Sequence, residues 1–268
     1  MPMQTTSTGS AARAAVERLG AIGISAVEDL GTLGILTGRA LAAAFRPPFR
    51  PRVFLEAMDD VGFGSLFIVL LTGSFAGAVF AMQLISAFRM FDSEHLVGSA
   101  VAMTLTRELG PVFTSLMVTG RTASAMATTL GTMRVTEQID AMEVMAVDPV
   151  QYLVSPRVVA TLLMTPLLTL LFDFVGMSSA YGVSVGLLGV DPGAFLASIH
   201  RNVYPSDIYN GAIKSAVFGL AIGAIGCYRG FYASGGAKGV GEATTKAVVF
   251  GSVSIFVLNY FLTAAMFT

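Results

Sequence analysis

Between Val61 and Phe88 the chain carries no charged residue at all. A helix rising about 1.5 Å per residue through that run outlasts the roughly 20 residues needed to cross the hydrocarbon core of a bilayer. The remainder of the chain does not supply enough polar surface to keep such a segment in water. Its residues are 54% hydrophobic and 12% charged, against about 25% charged in an ordinary soluble domain. A simple soluble globule is excluded, and an all-α integral membrane protein is expected. Lys+Arg 16 balance Asp+Glu 17, so there is no basic stripe for nucleic acid and the partner expected from charge is lipid. A single cysteine, Cys227, and two histidines exclude an intrachain disulfide and are poor material for a structural metal site.

Further apolar stretches follow at residues 96–118, 158–188, 208–227 and 247–267, giving five expected transmembrane helices. Ahead of them, residues 1–12 are small and polar, without the apolar core of a cleaved signal. Residues 13–45 place Val16, Leu19, Ile22, Val27, Leu30 and Leu33 at helical spacing among Arg13, Glu17, Arg18, Glu28 and Asp29. That pattern fits an amphipathic helix lying in the membrane interface or a soluble helical arm. Arg46-Pro47-Pro48-Phe49-Arg50-Pro51-Arg52 then forms a proline-stiffened basic elbow suited to an anionic leaflet. The division is therefore 1–60 for tail, interfacial helix and elbow, and 61–268 for the membrane domain. Most cations fall on the side of the N-terminus, with Arg89, Arg201 and Lys214 opposite, so the N-terminus is expected in the cytoplasm. Residues 191–207 then form an outer loop with room for a short amphipathic helix.

Charge inside a span costs about 2.5 kcal/mol or more at the bilayer centre and needs a reason. The second stretch contains Leu105-Thr106-Arg107-Glu108-Leu109-Gly110-Pro111. Pro111 has no amide hydrogen, so the Arg107 carbonyl loses its helical partner and the helix is expected to bend. Arg107 and Glu108 are adjacent and need separate partners. Two readings stand: a place in a transport cavity, or an inter-helix ion pair. Asp173 in the third stretch raises the same question. Small residues recur every fourth position at Gly73, Gly77 and Ala81 and again at Ser215, Gly219 and Gly223, letting helix backbones approach for packing or for dimerisation.

Residues 121–157 form the main inner loop, and within it residues 134–145 place Val135, Ile139 and Met142 on one helical face and Thr136, Asp140 and Glu143 on the other. Asp148-Pro149 is expected to stop that helix and Ser155-Pro156-Arg157 to start the next span. Such a helix offers a grip to a peripheral protein or rests on headgroups. Residues 234–242, Ser-Gly-Gly-Ala-Lys-Gly-Val-Gly-Glu, fail the nucleotide-loop pattern, because Glu242 stands where lysine is required, and read as a flexible inner turn. No nucleophile with a neighbouring base is visible, so catalysis within the chain is not expected.

These residues resemble the MlaE/YrbE family, the permease subunits of ABC-type phospholipid transport systems that work with MCE-domain proteins. The similarity runs from about Val61 to the end. It rests on Arg107-Glu108-Leu109-Gly110-Pro111, Gly120-Arg121, the run from Leu130-Gly131-Thr132-Met133-Arg134 to Ala141, Val147-Asp148-Pro149, Ser155-Pro156-Arg157, Lys214-Ser215 and Ala243-Thr244-Thr245. The resemblance implies a homodimeric permease in a bacterial inner membrane, a cytoplasmic ABC ATPase dimer, a periplasmic MCE ring and phospholipid as cargo. ATP and magnesium would sit on the ATPase, with no cofactor in this chain. It also implies that residues 134–145 are a coupling helix, with Arg134, Glu137, Gln138, Asp140 and Glu143 toward the ATPase, and that Gln83, Arg107 and Glu108 contact lipid. The chain departs from the family pattern at Thr128-Thr129, where members usually carry Ala-Glu. An ion-coupled secondary transporter, with Arg107, Glu108 and Asp173 as a relay, is the alternative.

Overall fold

The computed structural model describes the backbone of residues 8–48 and 50–267, and the side chains of residue 24, residues 27–48 and residues 50–266. Among the described residues there are helices and no strands. The polypeptide runs through α1 (Thr8–Ala44), α2 (Pro51–Arg89), α3 (Val97–Thr104), α4 (Gly110–Val118), α5 (Ser124–Val135), α6 (Gln138–Val144), α7 (Ser155–Tyr181), α8 (Pro192–Asn202), α9 (Pro205–Phe231) and α10 (Gly236–Phe267). Four helical stretches are long and apolar enough to cross a membrane: Pro51–Arg89, Val150–Leu187, Pro205–Phe231 and Gly236–Met266. The expected span at 96–118 is helical as well. It belongs to a continuous helical rod in which α3, α4 and α5 are joined by π turns at Leu105–Leu109 and Thr119–Ala123.

The helices overrun the apolar stretches that announce them. Helix α2 begins at Pro51, where a missing amide costs nothing and the fixed φ suits a first helical turn. Its 39 residues come to roughly 58 Å. The third stretch begins with a π turn at Val150–Val154 rather than at Ser155, because the Asp148 carboxylate accepts the Val150 amide at 2.9 Å and opens that segment. Asp148-Pro149 therefore starts the following helix instead of stopping the preceding one. The glycine-rich segment is not a flexible turn throughout. Gly235 and Gly236 hold φ values of +89° and +68° that L-residues avoid, and from Gly236 onward it is the first turn of α10.

Packing is set by the small residues. A side chain on Gly73 would meet Phe172, one on Gly77 would meet the backbone of Gly176, and Arg89 Nη2 donates to the Leu188 carbonyl at 2.7 Å. The offset is 99 positions each time, so α2 and α7 run parallel in constant register. Gly219 and Gly223 of α9 lie against Thr161 and Val158 of α7 in the antiparallel sense. Gly226 meets Ala123 in the π turn before α5, and Gly230 meets Ala127 of α5. Both small-residue stripes are thus consumed inside the protomer, which decides their use in favour of internal packing over dimerisation. The outward faces remain apolar, with Phe63, Phe67 and Phe75 on α2 and Val253, Phe256 and Phe261 on α10 all exposed. A belt of this kind requires lipid rather than water around it.

One end of the bundle, the elbow end, gathers the α1–α2 elbow, α6 and the α9–α10 turn. The other carries α8, which forms inside the expected outer loop and is capped by Asp191, whose carboxylate accepts the Ala194 amide at 2.6 Å. Helix α1 is longer than residues 13–45 suggest at its start. Arg13, Val16, Glu17, Arg18, Leu19 and Ile22, on which the amphipathic pattern rests, lie outside the described side chains. Its later half packs on the bundle through Leu36, Ala40 and Ala43.

Candidate functional site

The π turn at Leu105–Leu109, just ahead of Pro111, sets a polar cluster against α9 and α10. Lys214 of α9 is fully buried. Its ammonium donates to the Arg107 carbonyl at 3.0 Å, to Glu108 Oε1 at 2.7 Å and to Thr263 Oγ1 at 2.7 Å. Glu108 Oε2 accepts from Asn259 Nδ2 at 3.0 Å, and Thr263 Oγ1 donates to Oε1 at 3.1 Å. Arg107 turns the other way. Its Nε and Nη2 reach Asp207 Oδ1 at 2.9 Å and 2.8 Å, while Asp207 Oδ2 accepts the Tyr204 amide at 3.0 Å. The adjacent charges have separate partners, as helix geometry demands. Two cations and two anions face one another, so the cluster as a whole is neutral and tolerable in a low-dielectric setting.

Asp173 stands apart from this network. It abuts Gly110 from α7, where any side chain would collide with its Oδ1, and no ion pair among the described residues includes it. Gln83 lies exposed on α2, one turn beyond Val79 and Phe80. Those two, with Leu71, Phe75 and Phe113, line an apolar groove between α2 and α4. The structure thus brings Arg107 and Glu108 together but leaves Gln83 on another face. Lys214, Asp207, Asn259 and Thr263 complete the cluster without having been singled out as site residues. Lys214 is buried in the bundle, so it is not one of the outer-loop cations.

At the elbow end, α6 is a seven-residue helix beginning at Gln138, not at Arg134. Arg134 and Val135 close α5, and Glu137 makes the corner between the two helices with φ +59°. Ile139 is completely buried and Met142 packs beside the core, whereas Val135 is exposed. Glu137, Gln138, Asp140 and Glu143 all face outward. Arg134 Nη1 is 2.5 Å from Asp140 Oδ1, an ion pair that ties the two helices across the corner. Val144 and Met145 extend the outward surface with an exposed apolar tip. Thr128 bonds Thr244 of α10 at 2.8 Å, and Thr129 is exposed. Thr128 thus makes a neutral contact between α5 and α10.

The family model for the permease MlaE matches residues 54–265. The chain belongs to the MlaE permease family. This MlaE-type permease is 42% identical over 228 residues to a probable ABC transporter permease protein of Rickettsia felis, covering 85% of this chain and 88% of that one. It is 43% identical over 232 residues to a probable ABC transporter permease of Synechocystis, covering 87% and 88% of the two chains. The intermembrane phospholipid transport system permease protein MlaE of Haemophilus influenzae is 37% identical over 216 residues, covering 80% and 83%. Family membership and the apolar belt together make the permease a multi-pass membrane protein.

Proposed function

We propose that this chain is the membrane subunit of an ATP-driven transporter that moves phospholipids between the inner and outer membranes of a bacterial envelope. Two copies form the permease, an ABC ATPase dimer docks at the elbow end, and a ring of MCE-domain subunits receives or delivers lipid at the α8 end. Five passes cross the inner membrane: α2, the helical rod of α3 to α5, the rod containing α7, α9 and α10. The N-terminus is cytoplasmic and α1 lies along the interface. ATP and magnesium belong to the ATPase.

The observation that carries this reading is the construction of α6. It is anchored by Ile139 at the end of the bundle and turns an acidic face and an apolar tip outward. A helix so short has little stability of its own and gains it from the surfaces it touches. Closure of the ATPases would push on α6, and the Glu137 corner would pass the displacement to α5 and the rest of the α3–α5 rod. Arg107 and Glu108, in the π turn of that rod, would feel the change and contact lipid there, while Gln83 would contact lipid separately from the exposed face of α2. The direct test is charge reversal, Glu137→Lys with Asp140→Lys. The variant should still insert but lose copurification with the ATPase and lose ATP-dependent, vanadate-sensitive lipid flux. Full flux with no ATPase present would overturn the reading and leave an ion-driven carrier.

A further inference from the structure

We propose that the hollow between the basic elbow and the start of the α7 rod binds the phosphate of an anionic phospholipid from the leaflet at the elbow end. Arg46 and Arg50 of the elbow, Phe54 of α2, and Val147, Asp148 and Tyr152 ahead of α7 all line it. It lies at the opposite end of the bundle from α8 and uses none of the residues assigned above to cargo or to the ATPase.

The two arginines are positioned without being neutralised. Gln151 Nε2 donates to the Arg46 carbonyl at 2.9 Å, which pins the elbow to the α7 rod. The Arg50 guanidinium lies over the Tyr152 ring at 4.9 Å from its centroid. An aromatic face orients a guanidinium yet leaves its N–H fork for an anion. Neither arginine has a carboxylate partner among the described residues, whereas the neighbouring Arg52 pairs with Glu56 at 2.9 Å outside the hollow. Asp148 contributes the one opposing charge, and its Oδ1 already accepts the Val150 amide. Two guanidiniums against one carboxylate leave a single net positive charge, which fits one phosphodiester.

A lipid is favoured over free phosphate by what surrounds the charge. Phe54 and Val147 give the hollow an apolar wall, and Phe45 and Leu55, just before and just after the elbow, have 81% and 63% of their surface exposed. Side chains of that kind sit in acyl chains while arginines sit at headgroup level. A zwitterionic headgroup would bring an ammonium toward Arg46 and Arg50, so a headgroup with net negative charge is selected.

The test is native mass spectrometry of the purified full chain after equilibration with micelles holding equal phosphatidylglycerol and phosphatidylcholine. The wild type should retain phosphatidylglycerol preferentially, and R46Q/R50Q should lower that preference about thirtyfold, at about 1 kcal/mol per basic residue near a lipid surface. R52Q should leave it unchanged. Tyr152→Leu, which removes only the platform, should reduce the preference in the same direction and serves if the double variant does not purify. An unchanged preference in R46Q/R50Q, or in Tyr152→Leu where that variant stands in, overturns the proposal. So does displacement of phosphatidylglycerol from the wild type by inorganic phosphate alone, which would make the hollow a free-phosphate site.

Discussion

Lys214 on α9 supplies the hydrogen bond that Pro111 takes from Arg107. The amide four residues on, which would reach the Arg107 carbonyl in an α-helix, is missing because residue 111 is proline, and the Lys214 ammonium stands 3.0 Å from that carbonyl. The same ammonium neutralises Glu108 at 2.7 Å. A helix broken inside a membrane needs its freed backbone groups satisfied by protein, and here a neighbouring helix does so with a full charge. The consequence is mechanical as well as electrostatic. The π turn of the α3–α5 rod is keyed to α9 and, through Thr263 and Asn259, to α10.

Lys214→Met should therefore cost more than an ordinary core substitution. It leaves Glu108 with two neutral donors in place of its ammonium partner, and removes the Lys214 hydrogen bond to the Arg107 carbonyl. Removing one member of a buried pair costs about 3–5 kcal/mol, and the partial exposure of Glu108 places the loss near the lower figure. Adding Glu108→Gln should restore much of the stability. Thermal midpoints of the two variants in detergent form the check, and equal destabilisation by the single and double changes would show that the charge pair contributes nothing.

The break at Pro111 is legible in the sequence because one residue type lacks one donor. The partner is not legible, since nothing local says that position 214 faces position 107. The same division holds for the glycine stripes. A repeat at every fourth position announces close approach, but only the fold shows that Gly77 meets Gly176 of the same chain. Helix ends were the least readable, because Arg52, Asp59 and Asp60 interrupt the apolar run while α2 continues through them. The outward acids of α6 were readable from periodicity. The corner at Glu137 was not, because glutamate carries no signal for a positive φ.

Gly77→Ala should disrupt the α2–α7 contact. A methyl group there overlaps the Gly176 backbone, which has no flexible end to move aside. Overpacking of this kind costs about 1–3 kcal/mol. Gly34→Ala in α1 is the control, with nothing within 4 Å of the added carbon. It should be neutral or gain up to about 1 kcal/mol from helix propensity. Thermal midpoints that fall equally for both would refute the assignment of α2–α7 as the tight pair.

Asp29 should act as the latch that holds α1 on the bundle. Its carboxylate accepts the Tyr228 hydroxyl at 2.9 Å and pairs with Arg229 at 3.2 Å. Asp29→Ala is expected to cost about 1 kcal/mol, a surface-pair magnitude for groups still partly exposed. The effect should be local: amide exchange should rise across residues 27–44 while α7 and α9 keep their protection. Tyr228→Phe should produce a smaller change of the same kind. Unaltered exchange in α1 after Asp29→Ala would mean that Leu36, Ala40 and Ala43 alone hold the helix.

Two substitutions one position apart should separate the anchoring of α6 from its outward face. Ile139 is wholly buried, and Ile139→Ala should cost about 2–5 kcal/mol and release the helix from its seat. Asp140 is half exposed and, among the described residues, its side chain is bound only to Arg134, so Asp140→Asn should change the thermal midpoint by less than about 1 kcal/mol equivalent. Limited proteolysis near residues 136–148 should accelerate in Ile139→Ala and stay unchanged in Asp140→Asn. If the acidic face is what the ATPase reads, copurification should fall in both variants, for loss of placement in one and loss of charge in the other. Retained copurification in Asp140→Asn, alongside its loss in Ile139→Ala, would assign recognition to the apolar tip at Val144 and Met145 instead.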